Sequence, residues 1–124
     1  MERKVIRSGG EFEASFGYSR AVRVGDHIHV SGTCARPPED TADAYTQAKA
    51  ALKIIEDALK EAGSGLKEVV RTVVYITGPE HGEGVTRAHG ETFGDILPAS
   101  TCVVVAALLK ESLVVEIEAY AIAG

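Results

Sequence analysis

The run from Leu97 to Leu109, LPASTCVVVAALL, is all but the first residue of the longest stretch of the chain without a charge, and it limits the possible folds more than any other segment. It is too short to span a bilayer, which takes roughly 20 apolar residues. Its CVVVAALL portion is apolar at odd and even positions alike. Side chains alternate across a strand, so a strand with this pattern is expected to be buried on both faces. At 124 residues the chain is the size of one domain, read here as residues 1–124. Only two segments have helical periodicity, enough to cover one face of a sheet. The simplest cover for the second face is another copy of the chain, which predicts a homo-oligomer with sheets inside and helices outside.

Turn chemistry and periodicity supply the other elements. YSRAVRVGDHIHVSGT, from Tyr18 to Thr33, sets β-branched residues on both sides of Gly25-Asp26 and reads as a hairpin. After Pro37-Pro38, Asp40 or Thr41 offers an N-cap to a helix with apolar residues at Ala48, Ala51, Leu52, Ile55, Leu59 and Ala62, stopped by Gly63 and Gly65. Leu66 to Gly78 is rich in Val, Ile, Thr and Tyr and reads as a long strand. A glycine-interrupted helix is expected from about Glu83 to Ile96, closed by Pro98. TCVVVAALL and LVVEIEAYAIA then read as a strand pair joined across Lys110-Glu111-Ser112, with Lys4 to Ser8 as an extra edge strand. The sum is an α+β domain with five or six strands and two helices.

The formal net charge is -5, with no local cluster of Lys and Arg, so nucleic acid is not expected as a partner. The N-terminal MERKVIRSGGEFE has no apolar core of a leader, and a cytoplasmic, membrane-free protein is the expectation. Cys34 and Cys102 form no metal or disulfide pattern and read as free thiols. His27 and His29 share a strand face, but no carboxylate or cysteine completes a ligand spacing with them, so no metal is expected. Within the apolar C-terminal strand, Glu116 and Glu118 fall on one face with Val114 and Tyr120. At least one of these carboxylates is expected to look into a cavity.

GYSRAVRVGDHIHVSGT, QAKAALKIIEDALKEAG, LKEVVRTVVYIT and PASTCVVVAALLKESLVVEIEAYA together resemble the Rid family of reactive intermediate deaminases, also called YjgF-type or L-PSP endoribonuclease-like. The resemblance runs from about Phe16 to Ala123. It implies a chorismate-mutase-like fold with a mixed sheet, a homotrimer with ligand clefts between subunits, and cofactor-free hydrolysis of imines and enamines to a 2-oxo acid and ammonia. By motif, Glu116 corresponds to the glutamate that positions water and Tyr18 to the tyrosine that closes the cleft. Gly32 and the Cys102 carbonyl correspond to backbone contacts.

Ser100 stands where those deaminases carry the arginine that holds the substrate carboxylate. Losing such a charged, two-pronged hydrogen bond costs about ten- to a hundredfold for a 2-imino acid. Arg20, two residues after Tyr18, and Arg87 on the second helix are the candidate replacements, each set against a solvated surface arginine. Ser100 or Thr101 could supply a hydroxyl, and His89 either a cleft wall or a general acid/base. Glu118 reads as structural. Cys102 as a nucleophile lacks a basic neighbour in sequence. Two function classes follow: a hydrolase acting on an imine, enamine or related C–N bond, and a non-catalytic metabolite-binding or regulatory module. An endoribonuclease fits the acidic chain less well.

Overall fold

The computed structural model describes residues 1–124. Its strands are β1 (Arg3–Ile6), β2 (Ala21–Val24), β3 (His27–Thr33), β4 (Val69–Ile76), β5 (Ala99–Val104) and β6 (Val115–Ile122), and its helices are α1 (Glu13–Phe16), α2 (Ala44–Glu61) and α3 (Gly82–Phe93). They form one sheet in the order β1-β2-β3-β6-β4-β5. Only the β4/β5 pair is parallel. The mixed sheet, the hairpin and the extra edge strand are as expected. Gly25 turns the hairpin at φ 59°, a left-handed conformation that glycine adopts without strain.

The apolar stripe foreseen on α2 is buried throughout, and with Val85, Ala88 and Phe93 of α3 it packs on Ile28, Val30, Val74, Val115, Ile117 and Ala121 of the sheet. Asp43 caps α2, accepting from the Thr46 N–H at 2.8 Å. The expected caps Asp40 and Thr41 lie instead in a 3-10 turn one step earlier, Glu39–Thr41, so neither can reach the first turn of α2. Gln47, fully buried, ties this helix start to the sheet. Its amide donates to the Ala42 and Ser112 carbonyls and its oxygen accepts from Val114 N–H. α3 ends at Phe93, short of Ile96, and Leu97 takes a left-handed φ of 56° before β5.

Two expectations need correction. β5 and β6 are not partners, because β4 lies between them. The α3 crossover returns the chain parallel to β4, on the side away from β6. Nor is β5 buried on both faces: as the sheet edge it is exposed along its whole length in the single chain. Both helices cover the same face, which leaves His27, His29, Val73, Glu118 and Tyr120 on an open one. No helix is long and apolar enough to cross a membrane.

Candidate functional site

Glu116 sits near the start of β6, where the alternation that buries Val115 and Ile117 turns its carboxylate to the open face. The end of β3 faces it, and at Gly32 an added Cβ would lie 2.4 Å from Glu116 Oε2. Only a glycine lets the carboxylate rest against that backbone. Cys34 donates its S–H to Glu116 Oε1 at 3.3 Å. Burial, then the charge and hydrogen bond of Glu116, push this thiol up to about 12, so it stays protonated and remains a donor.

These groups border a cavity of about 430 Å³ that Tyr18, Arg20, Gly10 and Arg36 also line. Arg20 is 5% exposed and its donors are occupied. One Nη gives hydrogen bonds to the Gly32 carbonyl at 2.8 Å and Thr33 Oγ1 at 3.0 Å, and the other to the Tyr18 hydroxyl at 3.0 Å. Behind it Glu13 accepts from Ser8 Oγ–H at 2.6 Å and Gly10 N–H at 2.7 Å. Burial alone would raise the Glu13 carboxyl, but these hydrogen bonds and the charge of Arg20 outweigh it and hold the group below its usual range. The result is the Glu116 carboxylate at the cavity, a phenol hydroxyl held by a guanidinium, and a backbone edge stripped of side chain. That set can hold and deprotonate a water molecule beside a small ligand.

Tyr18, Arg20, Gly32 and Glu116 are thus together; the other sequence candidates lie elsewhere in the single chain. Ser100 is on β5, two strands from β6, and its Oγ is 2.7 Å from Thr72 Oγ1. Thr72 is in turn 2.8 Å from Nε2 of His89, whose pKa burial lowers. Thr101 accepts from Arg71 at 3.0 Å. Cys102 is exposed on the same strand, and partial burial raises its thiol pKa. Arg87 stacks over the Tyr45 ring at 3.8 Å on the far side of α3. Glu118 accepts from the Tyr75 hydroxyl at 2.7 Å, in keeping with a structural role.

Sequence reading missed Cys34, Arg36, Ser8 and Glu13. Cys34 alone carried a signal, its two-residue spacing from Gly32. Arg36 reaches the cavity from a loop, and Ser8 and Glu13 support it and Arg20 from a loop and the short α1, where no periodicity fixes direction.

The model of the family described as Endoribonuclease L-PSP matches residues 9–123. An uncharacterised protein of Streptomyces coelicolor is 34% identical over 122 residues, covering 96% of this chain and 91% of its own. The 2-iminobutanoate/2-iminopropanoate deaminase of Rattus norvegicus is 36% identical over 126 residues, covering 98% and 91%. Among solved structures, a member of the YjgF/YER057c/UK114 family from Mycobacterium tuberculosis superposes with a TM-score of 0.91 at 42% identity, over 98% of this chain and 99% of that one.

Proposed function

Since the chain belongs to the Endoribonuclease L-PSP family, also known as Rid or YjgF, and has its chorismate-mutase-like fold, we propose that it hydrolyses the C=N bond of a small imine in clefts between three copies. The observation that carries this reading is the Glu116 carboxylate, seated against Gly32 and open to the cavity. Glu116 takes a proton from water as the oxygen adds to the imine carbon. Glu116 hands that proton to nitrogen, the remaining hydroxyl proton follows it as the C–N bond breaks, and a ketone and ammonia leave. Tyr18 bounds the cleft, with its hydroxyl fixed by Arg20.

Trimer formation fits the open sheet face and the exposed β5, whose valines Val103 and Val104 are 40% and 55% exposed. A neighbouring copy would bring its own Ser100, Thr101 and Cys102 carbonyl to the Glu116 cavity. The family name of endoribonuclease suits this chain poorly, because its net charge of -5 gives RNA no electrostatic footing. A second reading, metabolite binding without turnover, is favoured by one observation: the Ser100 hydroxyl is engaged by Thr72. Glu116→Ala decides between the two. Loss of imine hydrolysis with the assembly intact supports the enzyme, and binding across a panel of imines with no turnover even in the wild type supports the module.

A further inference from the structure

We propose that Arg36 is the residue that recognises an anionic ligand in the cavity, and that the ligand is a small carboxylate. This rests on the reading of the Glu116 cavity as the ligand site. Arg20, Arg36 and Lys110 are the cations that line it. Arg20 is 6% exposed at its side chain, and its guanidinium is spent on Gly32, Thr33 and Tyr18. Lys110 pairs with Glu11 at 3.2 Å. The Arg36 side chain is 40% exposed.

Arg36 is also held in place. One Nη donates to the Ser8 carbonyl at 3.0 Å and the other to Ser8 Oγ at 2.6 Å, while Glu13 is 3.9 Å away and already within 4.0 Å of Arg20. Two of its five N–H groups are therefore used on hydrogen bonds to Ser8, Nη2 also faces Glu13, and the remaining N–H groups have no protein hydrogen-bond acceptor. Gly10 lets the backbone pack against this cluster, since a Cβ there would sit 2.6 Å from Glu13 Oε2 and 3.4 Å from Arg36 Nη2. A pre-oriented, partly desolvated guanidinium with spare donors is suited to a planar carboxylate.

The test is equilibrium binding, by calorimetry, of 2-oxobutanoate and its neutral methyl ester to the full chain and its variants. The wild type is expected to bind the acid in preference to the ester. Arg36→Gln is expected to weaken the acid by about ten- to a hundredfold and leave the ester unchanged, the range for a charged hydrogen-bond pair. Arg36→Lys should recover part of the loss. Equal acid binding in wild type and Arg36→Gln overturns the proposal, and so does a wild type that binds the ester as well as the acid or binds neither. If Arg36→Gln does not fold, the wild-type comparison of acid with ester and the shift of the Arg36 Nε–H resonance on titration still decide it. Arg36-dependent binding without imine turnover would sink the hydrolytic reading while leaving this one standing.

Discussion

At the scale of single residues the site depends on how closely Glu116 is seated. A Cβ at position 32 would meet its Oε2 at 2.4 Å, and the flexible carboxylate, rather than the strand, is what gives way. Gly32→Ala is therefore expected to fold with an unchanged melting temperature yet lose turnover by about a hundredfold, the order that a displacement of 1 Å costs a catalytic group. Full activity in that variant would mean that the contact does not position Glu116. Cys34→Ser, which keeps a donor to Glu116, should retain more activity than Cys34→Ala, and equal rates would remove the thiol from the site. Glu116 and Gly32 were legible in the sequence because strand alternation and motif fix where they point. Arg36 was not, because its direction comes from loop contacts to Ser8 that are distant in sequence.

Elements join through two polar groups, the buried Gln47 and the half-buried His89, that periodicity could not reveal. Gln47 bonds the loop at Ala42 and the backbone at Ser112 and Val114, so Gln47→Leu strands buried donors and acceptors that each cost about 1–3 kcal/mol when unpaired. Urea unfolding should show a stability loss of about 2 kcal/mol or more, and a loss within error would mean that water replaces the amide. His89 joins α3 to β4 and, through Thr72, to β5. Burial lowers its pKa from 6.5, so the unfolded chain takes up the proton more readily than the folded one. Its contribution is complete above that value and declines as pH falls from 6.5 toward the folded pKa. His89→Gln should flatten this part of the stability profile; parallel profiles would show that the imidazole is not the group responsible. The helices and the hairpin were readable because their apolar spacing is local. The β5/β6 pairing was misread because strand order depends on the crossover through α3, which leaves no mark on either strand.

For the whole molecule, the exposed edge β5 is the surface on which the proposed trimer would close. All of β5 is exposed in the single chain, Val5 on the opposite edge strand β1 is 46% exposed, and Ile122 at the end of the central strand β6 is 43% exposed. Apolar surface of this kind marks contact with a partner. Val103→Glu is expected to shift the chain from trimer to monomer in light scattering, and to abolish turnover with it if the cleft needs a second copy. A wild type that is monomeric throughout would contradict the assembly. The central claim is hydrolysis without an arginine at position 100, and it is tested most directly by generating 2-iminobutanoate in situ and following its loss with wild type and Ser100→Arg. Acceleration by the wild type well above buffer is the expected result. A wild type no faster than buffer, with activity gained only in Ser100→Arg, would contradict the claim and show a cleft shaped for a different ligand.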